Sequence, residues 1–356
     1  MMKGLILSGG RGTRLRPLTY TSAKQLVPVA NKPVLFYGLE AMAEAGIRDV
    51  AIVVGDTAAE IRGAVGDGSP WGLRITYIDQ DAPRGLAHAV LISQPFIGAD
   101  PFVVYLGDNL LAKGIKPFVD RFLVERPAAQ ILLAHVPDPQ MFGVAELRDG
   151  KVVRLVEKPR EPTSDLALVG VYLFGPEVFE SVRRIRPSFR NELEITDAIQ
   201  DLIDRGLQVH PDIVDGWWKD TGKLEDMLEA NRLILDTLVR RVEGDIDEAS
   251  RVEGKVIIEP GAVIRQSVVR GPAIIGTRAK ILHAYVGPFT SIMNDVEIRA
   301  SEIEHSIVLE GSVIRDLANR VEDSLIGKNV TIHRLPVKPS AYRFMLGDNS
   351  EVGIRW

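Results

Sequence analysis

Near its N-terminus the sequence runs Leu7-Ser8-Gly9-Gly10-Arg11-Gly12-Thr13-Arg14-Leu15-Arg16-Pro17-Leu18-Thr19, and Lys24-Gln25-Leu26-Val27-Pro28 follows closely. The residues just before it, Lys3 to Leu7, form an apolar run that predicts a buried first strand of an open α/β sheet. Glycine permits positive φ and lets a ligand approach consecutive backbone N–H groups, which form a nest for a polyphosphate. Arg14 and Lys24 would add positive charge. We therefore expect this segment to hold a nucleoside triphosphate by its phosphates.

Two common phosphate-binding motifs do not fit this stretch. The dinucleotide fingerprint G-x-G-x-x-G fails because Leu15 occupies the sixth position counted from Gly10. A Walker A loop fails because the pairs Gly222-Lys223 and Gly327-Lys328 lack its spacing and its hydroxyl. What remains is G-G-x-G-T-R-L-x-P-L-T with K-x-x-x-P downstream, which resembles the signature of the sugar nucleotidyltransferase family.

The whole chain sets broad limits on function. Its 356 residues are enough for two domains, each with its own core. A net charge of −5 without a basic run argues against a nucleic-acid partner, and the lack of cysteine excludes disulfides, thiolate metal sites and a cysteine nucleophile. No apolar run reaches the roughly 18 residues of a membrane span, and no signal-peptide pattern begins the chain. We expect a soluble cytoplasmic protein with no membrane contact.

Strand and helix patterns alternate along the N-terminal part. Apolar runs predict strands at 50–54, 73–78 and 102–106, and helical spacing predicts helices at 34–46 and 86–93. This alternation indicates an α/β fold with a mixed, mostly parallel sheet and helices on both faces. Ligands of such sheets bind beyond the carboxyl ends of the strands. The opening loop, Gln80 and Asp108 all fall at those ends.

A segment after the third predicted strand, Gln80-Asp81-Ala82-Pro83-Arg84-Gly85, suits recognition of a base. A side-chain amide offers a donor and an acceptor, which match the imide edge of thymine or uracil. Gly85 opens a helix and would allow a base to approach closely. We expect Asp81 to be a cap near the helix and His88 to be a surface residue.

Asp108 ends the motif Val103-Val104-Tyr105-Leu106-Gly107-Asp108-Asn109. A carboxylate at the tip of a buried strand is costly to place unless a cation meets it. Mg²⁺ held by one or two carboxylates and by substrate phosphates is the usual solution in phosphoryl-transfer sites. Asp108 is therefore the first candidate metal ligand, and a plain helix N-cap is the alternative.

The pattern changes to adjacent strands with short turns between residues 130 and 157, which predicts an antiparallel insertion. It carries Phe142-Gly143-Val144 and ends at Glu157-Lys158-Pro159. Glutamate accepts hydrogen bonds from vicinal hydroxyls, and lysine offers a compact charge to a phosphate. By themselves these residues would be a solvated face, but the family resemblance implies that Gly143 and Glu157 contact sugar hydroxyls and that Lys158 binds the sugar phosphate, and the chemistry agrees with it.

The family resemblance covers nearly the whole chain. The string Gly66-Asp67-Gly68-Ser69-Pro70-Trp71-Gly72 is similar to one in glucose-1-phosphate thymidylyltransferases, and we expect its Trp71 to be structural. Residues 190–197, R-N-E-L-E-I-T-D, match R-G-E-L-E-I-T-D of the family, with Asn191 in place of a glycine. Asparagine also tolerates the left-handed conformation, so the turn can persist. Residues 217–222 resemble W-x-D-T-G and supply Asp220.

Residue roles follow from this resemblance. It implies a catalytic set of Arg14, Lys24 and Asp108. It implies a nucleotide-binding set of Leu7, Gly9, Gly10, Gly12, Thr13, Arg14, Gln80, Gly85 and Asp108. It implies sugar-phosphate ligands at Gly143, Glu157, Lys158, Tyr172 and Arg190. It implies that Asp108 and Asp220 hold Mg²⁺.

The implied reaction is Mg²⁺-dependent transfer of a thymidylyl group from dTTP to glucose 1-phosphate, which gives dTDP-glucose and pyrophosphate for deoxysugar biosynthesis. Arg14 would neutralise the leaving pyrophosphate and Lys24 the transferring phosphate, without a protein nucleophile. Three alternatives stay open: UTP as the nucleotide, a bifunctional enzyme with acetyltransferase activity, and an inactive scaffold. A homo-oligomer is expected.

The composition changes after Gly244. Apolar residues recur every six positions at Ile257, Val263, Val269, Ile275 and Ile281, and the phase then slips by one to Val286, Ile292 and Ile298 before it resumes at Val308, Ile314, Ile326 and Ile332. Such a period predicts a hexapeptide β-helix. It resembles the left-handed form, in which His283, His305 and His333 raise the acetyltransferase alternative. We expect domains at 1–240 and 241–356, joined by a helix over 224–241. The tail 347–352 matches long-form relatives.

Overall fold

A computed structural model of the chain describes residues 1–10, 12–335, 350 and 352–353. The chain forms two compact units. The first comprises Met1–Arg11, Ser22–Leu26 and Val34–Asp220, and the second comprises Gly12–Thr21, Val27–Pro33 and Thr221–Trp356. The domain boundary expected at 240/241 stays a prediction. The tail motif at 347–352 lies outside the described residues except for Ser350 and Val352.

The strands up to residue 220 are β1 (Lys3–Ser8), β2 (Pro28–Val29), β3 (Lys32–Pro33), β4 (Asp49–Val54), β5 (Arg74–Asp79), β6 (Phe102–Leu106), β7 (Asn109–Leu111), β8 (Ala129–His135), β9 (Gly143–Arg148), β10 (Lys151–Glu157), β11 (Leu166–Phe174), β12 (Val209–Ile213) and β13 (Trp218–Asp220). The α-helices are α1 (Val34–Glu44), α2 (Ala58–Val65), α3 (Leu86–Ile92), α4 (Gln94–Ile97), α5 (Lys116–Glu125), α6 (Val178–Arg184), α7 (Ile195–Asp204) and α8 (Leu224–Asp236). Short 3₁₀ helices occupy Thr13–Leu15, Leu18–Tyr20, Lys24–Leu26, Ser69–Trp71 and Pro139–Met141. No helix within these described ranges has the length and apolar character that crossing a bilayer requires.

A nine-stranded mixed sheet forms the centre of the first unit. Strands β6, β1, β4 and β5 lie side by side and parallel, as the alternating sequence pattern predicts. Strand β11 pairs antiparallel with β6, and β9 pairs antiparallel with β10 through the turn at Asp149-Gly150, which confirms the antiparallel insertion. The parallel arrangement brings the loops that follow β6, β1, β4 and β5 to one edge of the sheet.

Both faces of the sheet are covered, because side chains alternate along each strand. In β1, Leu5 and Leu7 pack into one apolar cluster with residues of α3, α6 and α7, while Ile6 packs into a second cluster with residues of α1. Trp71 belongs to the second cluster, and its ring meets the ring of Phe36 edge to face with centroids 4.8 Å apart. The structural role expected for Trp71 is confirmed.

The remaining strands belong to the second unit: β14 (Arg241–Val242), β15 (Asp245–Ile246), β16 (Arg251–Glu253), β17 (Val256–Ile258), β18 (Val263–Arg265), β19 (Val268–Arg270), β20 (Ala273–Ile275), β21 (Lys280–Leu282), β22 (Tyr285–Val286), β23 (Thr290–Ile292), β24 (Glu297–Arg299), β25 (Glu302–Ile303), β26 (Ile307–Val308), β27 (Val313–Arg315), β28 (Leu325–Ile326) and β29 (Thr331–His333). They form three parallel sheets, with six, six and four strands in the described residues. This is the architecture expected of the left-handed parallel β-helix.

Two details of the C-terminal prediction are wrong. Ile257 and Val263 are only partly buried, whereas Val256 and Ile258 of β17 and Ile264 of β18 are buried. The reason is the length of a coil: Ile257 pairs with Ile274, and Ile281 pairs with Ile298, each 17 residues on, so that one of the three sides is a residue short of the strict six-residue period. In addition, α8 ends at Asp236, before the expected residue 241, which already belongs to β14.

Two N-terminal segments also belong to the second unit. Asn231 of α8 is fully buried; its Oδ1 accepts hydrogen bonds from Ala30 N at 2.9 Å and from Ser291 Oγ at 2.6 Å, and its Nδ2 donates to Phe289 O at 3.0 Å. Asn31 Nδ2 donates to the carbonyl of Ile292 at 2.6 Å. The turn between β2 and β3 is therefore held by α8 and by the β-helix.

Candidate active site

The carboxyl edge of the parallel strands carries the residues that the sequence singled out in the first unit. Gly9 and Gly10 follow β1, Gln80 follows β5, and Asp108 follows β6 after one glycine. Because β6, β1, β4 and β5 are neighbours in that order, these loops share one edge. The expectation that the opening loop, Gln80 and Asp108 fall at strand ends is confirmed.

Lys24 and Asp108 form an ion pair at this edge, although they lie 84 residues apart in sequence. Both side chains are mostly buried, with exposed fractions of 13% and 14%. A Cβ added to Gly10 would be 3.5 Å from Lys24 Cε, so the opening loop passes directly beside the lysine. Among the described residues, the buried Gln25 Oε1 and Ser8 Oγ have no hydrogen-bond partner. The arrangement concentrates polar groups beside the glycine-rich turn.

A two-stranded antiparallel ribbon, β7 with β13, brings Asp220 to the same place. Asp220 lies opposite Asn109, which directly follows Asp108. Asn109 is 2% exposed; its Nδ2 donates to Asp108 Oδ1 at 3.1 Å, and its Oδ1 accepts a hydrogen bond from Trp218 Nε1. Trp218 in turn packs edge to face on Phe142. The ribbon thus holds the Asp108 side chain through Asn109. It also places Asp220 opposite Asn109, one residue along the chain from Asp108.

The two carboxylates fit a cation that is held jointly by protein and substrate. Across the described parts of the chain, no group of three or more His, Asp or Glu side chains is placed to enclose a metal ion. Two carboxylates with substrate phosphates are the ordinary donor set for Mg²⁺, whereas a closed protein cage is not.

Gln80 and His88 contact each other in the first unit. Gln80 N donates to Val54 O at 2.8 Å, and Gln80 Nε2 lies 3.0 Å from His88 Nδ1. His88 is half-buried on α3, so it is a partly accessible surface residue whose ring also contacts Gln80. Burial lowers the pKa of His88, and the nearby Arg84 lowers it further, while Asp81 opposes them. Asp81 itself is exposed and pairs with Arg84 at 2.6 Å.

Gly85 begins α3 with φ of +100°, a conformation that other residues rarely adopt. A Cβ there would lie 2.4 Å from the backbone oxygen of Leu193. That oxygen accepts a hydrogen bond from Ala87 N, and Leu193 N donates to Arg84 O. Packing against the backbone at Leu193 is thus sufficient to require glycine at this position.

A cluster of charged side chains forms around Glu157 at the end of β10. Arg190 Nη1 lies 3.4 Å from Glu157 Oε1 and 3.5 Å from Glu194 Oε1, and its Nη2 lies 3.1 Å from Glu192 Oε2. Thr196 Oγ1 donates to Glu157 Oε2 at 3.4 Å. Burial raises the pKa of Glu157, and Glu194 raises it further, while Lys158 and Arg190 oppose the shift. The cluster combines donors and acceptors suited to a polar ligand.

The other residues that the sequence predicted as sugar-phosphate ligands differ in their exposure to solvent. Lys158 has φ of +44° and a side chain that is 40% exposed, with Nζ 3.9 Å from Glu157 Oε1. Tyr172 is 3% exposed in the core and stacks on Phe174, and burial raises the pKa of its hydroxyl. A Cβ at Gly143 would lie 2.6 Å from Thr196 Cγ2. Asn191 has φ of +59°, which confirms that asparagine adopts the left-handed turn.

The rest of the glycine-rich stretch belongs to the second unit. Gly12 is left-handed at φ of +62°, and its carbonyl accepts hydrogen bonds from Leu15 N at 3.0 Å and from Thr19 Oγ1 at 2.6 Å. Thr13 and Arg14 lie on the 3₁₀ turn that follows, and both are exposed. The turn presents Arg14 to solvent.

Three further side chains of these contacts have no local sequence signal: Asn109, Trp218 and Thr196. Each of them is next to a predicted residue or lies in a quoted motif. Its hydrogen-bond partner, however, is about 39 to 109 residues away in the sequence. Only the strand pairing between β7 and β13 brings Trp218 to Asn109.

The chain was compared with known proteins. The family model described as nucleotidyl transferase matches residues 3–237. The chain is 56% identical to a glucose-1-phosphate thymidylyltransferase of Streptomyces antibioticus, over 99% of this chain and 100% of that protein. It is 55% identical to the enzyme of the same name from Streptomyces griseus, over 99% of both chains.

A solved structure from Bacillus anthracis, described as a glucose-1-phosphate thymidylyltransferase in complex with sucrose, is 36% identical with a TM-score of 0.64. The match covers 68% of this chain and 98% of the Bacillus anthracis chain. The chain is an enzyme that belongs to the nucleotidyl transferase family and, within it, to the glucose-1-phosphate thymidylyltransferases.

Proposed function

We propose that this enzyme transfers a thymidylyl group from dTTP to glucose 1-phosphate and releases pyrophosphate. The similarity to two Streptomyces thymidylyltransferases along the full length supports this activity. The structural observation that carries the proposal is the Lys24–Asp108 pair beside Gly10, at the carboxyl edge of the parallel strands. A cation and a carboxylate placed together beside a glycine-rich turn suit a triphosphate and its metal ion.

The nucleotide would be bound by the opening loop and by Gln80. Backbone N–H groups around Gly9, Gly10, Gly12 and Thr13 would hold the phosphates, and Leu7 would end the strand below them. Arg14 would neutralise the leaving pyrophosphate. Gln80 would pair with the imide edge of the base, and Gly85 would pack closely beside it.

Members of this family generally use a divalent metal ion, and we propose Mg²⁺. Asp108 and Asp220 would hold it, because the β7–β13 ribbon places their backbones in adjacent positions. When bound, Mg²⁺ supplies neutralisation of the phosphate charge. Asn109 would keep Asp108 in the orientation needed for this contact.

Glucose 1-phosphate would occupy the charged cluster at the end of β10. Glu157 would accept hydrogen bonds from sugar hydroxyls, and Lys158 and Arg190 would contact the sugar phosphate. Gly143 leaves room that a side chain would fill, and the buried Tyr172 would support Glu157 from below.

The chemistry requires no covalent bond to the protein. An oxygen of the sugar phosphate attacks the α-phosphorus of dTTP and forms a new P–O bond, while the bond to the bridging oxygen breaks in line and pyrophosphate leaves with the electron pair. Lys24 would stabilise the charge on the transferring phosphate. The protein therefore acts by positioning and charge neutralisation.

The test is pyrophosphate release measured over a matrix of nucleoside triphosphates and sugar 1-phosphates, with and without Mg²⁺. We expect the highest kcat/KM with dTTP and glucose 1-phosphate. Strong preference for UTP would replace the thymidylyl assignment with a uridylyl one. Absence of pyrophosphate release with every pair would contradict the proposal altogether.

A further inference from the structure

The segment Ser22–Leu26, which carries Lys24, is a short piece of the first unit between two stretches of the second. Gly12–Thr21 precedes it in the chain and Val27–Pro33 follows it, and both of these stretches belong to the second unit. The position of Lys24 within the first unit therefore depends on the contacts that Ser22–Leu26 makes itself. The ion pair of Lys24 with Asp108 is one of them.

Glu60 of α2 provides a second contact to this segment. Its Oε2 accepts a hydrogen bond from the backbone N–H of Ala23 at 2.7 Å, across 37 residues of sequence. Ala23 is 1% exposed, and its carbonyl accepts a hydrogen bond from Leu26 N at 2.9 Å, which closes the 3₁₀ turn that holds Lys24. A hydrogen bond from an N–H to a carboxylate is charge-assisted and roughly twice as strong as a neutral one. Glu60 thus anchors the residue at which the lysine-bearing turn begins.

The N-terminal end of α2 also lies beside the opening loop. Strand β4 leads to α2 through Gly55, and a Cβ added to Gly55 would lie 3.2 Å from the carbonyl oxygen of Gly9. The segment from Gly55 to Glu60 therefore packs against the glycine-rich turn at its start and contacts Ala23 at its end. Both parts of the proposed triphosphate site in the first unit rest on this one segment.

We propose that Glu60 is a positioning residue, which holds the turn at Lys24 so that the ammonium group stays beside Asp108 and the phosphates. This inference rests on the proposed function, in which Lys24 stabilises the charge on the transferring phosphate. Glu60 acts through the backbone of Ala23 and does not contact the reacting groups. Because stabilisation of a developing charge needs the cation in contact with it, a displaced lysine lowers kcat.

Three substitutions separate the reach of the Glu60 side chain from its charge, with kcat taken from pyrophosphate release at saturating dTTP. Glu60→Gln keeps an acceptor oxygen at the same reach, and we expect kcat within about threefold of wild type. Glu60→Asp keeps the charge but is one methylene shorter, and Glu60→Ala removes the acceptor. Both should lower kcat about tenfold, because the buried N–H of Ala23 loses its partner. The KM for glucose 1-phosphate should stay within about twofold, since an interaction made only in the transition state affects kcat.

Glu180→Ala is the matched control. Like Glu60 in α2, Glu180 is the acidic residue in the first turn of its helix, α6. Its side chain is 62% exposed and pairs with Arg205 at 2.6 Å. The same chemical change there should leave kcat within about twofold of wild type, as is usual for an exposed ion pair.

A double-mutant cycle with Lys24→Ala tests whether Glu60 acts through the lysine. Once Lys24 is removed, Glu60→Ala should lower kcat by less than about twofold further. Equal losses in the two backgrounds would overturn the inference, as would wild-type kcat in Glu60→Ala, or a Glu60→Gln enzyme as slow as Glu60→Asp. If Glu60→Ala does not fold, as judged by thermal unfolding, the glutamine and aspartate variants decide. A wild-type enzyme inactive with dTTP, or unchanged kcat in Lys24→Ala alone, would instead refute the proposed function.

Discussion

Asp108 is held from two sides, by Lys24 and by Asn109. We expect Asp108→Asn to lower kcat by about 10²-fold or more, because a neutral amide is a much weaker ligand than a carboxylate for the metal ion that we propose neutralises the phosphates. Pyrophosphate release at saturating Mg²⁺ measures the loss. A thermal-unfolding measurement separates this loss from the loss of stability that follows when the mostly buried Lys24 loses its charged partner.

Asp215→Asn is the control for this substitution. Asp215 is 84% exposed and pairs with Lys113, so the same chemical change there should leave kcat within about twofold, as is usual for exposed ion pairs. Near-normal Mg²⁺-dependent turnover in Asp108→Asn would remove that residue from the metal site.

Glu157 has a pKa raised by burial, which has a consequence for stability. The folded protein binds this proton more tightly than the unfolded chain does, so stability falls as the pH rises from the unfolded pKa through the folded one. Glu157→Gln, which stays neutral, should be at least as stable as wild type at pH 7 to 8 and should lose this pH dependence. Denaturant unfolding at several pH values measures the difference.

The same variant should bind sugar poorly. We expect the KM for glucose 1-phosphate to rise at least about tenfold, the effect of losing hydrogen bonds to a charged acceptor, with the KM for dTTP unchanged. An equal rise in both KM values would show that Glu157 does not act on the sugar.

Among single residues, the sequence predicted those whose charge is unusual at their position in the chain. Asp108 is identifiable because a carboxylate after a buried strand is costly to place unless a cation meets it. Lys24 is identifiable from its place in the K-x-x-x-P motif that follows the glycine-rich turn. His88 and Asn109 are ordinary polar residues by themselves. Their contribution depends on Gln80 and Trp218 across loop and strand pairings, which no local pattern contains.

The β7–β13 ribbon is the element that places Asp220 opposite Asn109, the residue after Asp108. Trp218→Phe keeps the apolar ring against Phe142 but leaves the buried Oδ1 of Asn109 without this donor. We expect kcat to fall about tenfold, since leaving a buried acceptor unpaired costs about 1–3 kcal/mol and frees Asn109 to turn away from Asp108. Steady-state kinetics with a thermal-unfolding measurement separate this loss from unfolding.

Trp71→Phe is the matched control, because Trp71 packs edge to face on Phe36 and lies on the 3₁₀ helix Ser69–Trp71, outside the β7–β13 ribbon. It should alter stability rather than kcat. Equal kinetic losses in both tryptophan variants would mean that the ribbon has no special role in positioning Asp108.

A helix or strand can be predicted from the sequence to the extent that its pattern of apolar residues is regular. The strand at Phe102–Leu106 was located without error, because a buried parallel strand is a continuous apolar run. The β-helix was predictable as an architecture, but not in register. Because one coil has 17 residues, Ile258 and Ile264 are buried in the interior of the β-helix. A strict six-residue period would instead select their neighbours Ile257 and Val263.

Within the second unit, contacts between distant parts of the sequence converge on Asn231, which joins residues 60 and 201 positions away. We expect Asn231→Ala to lower the free energy of unfolding by about 3 kcal/mol, because it leaves buried donors at Ala30 and Ser291 without this acceptor. Chemical denaturation followed by tryptophan fluorescence measures the change.

A double-mutant cycle with Ser291→Ala tests the mechanism. Ser291→Ala alone should cost about 1 kcal/mol, and the double variant should cost less than the sum of the two, because both changes remove the same hydrogen bond. Strict additivity would show that Asn231 stabilises the unit without the help of this contact.

The turn at Ala30 and Asn31, which α8 and the β-helix hold, begins only a few residues after Lys24 in the chain. The other N-terminal segment of this unit, Gly12–Thr21, has Leu18 within 3.3 Å of where a Cβ on Gly327 would stand. The C-terminal part therefore cannot be exchanged between relatives as an independent module. A chimera that combines this N-terminal segment with a foreign β-helix must also adopt the donor's residues at 12–21 and 27–33, because those two segments contact α8 and the β-helix.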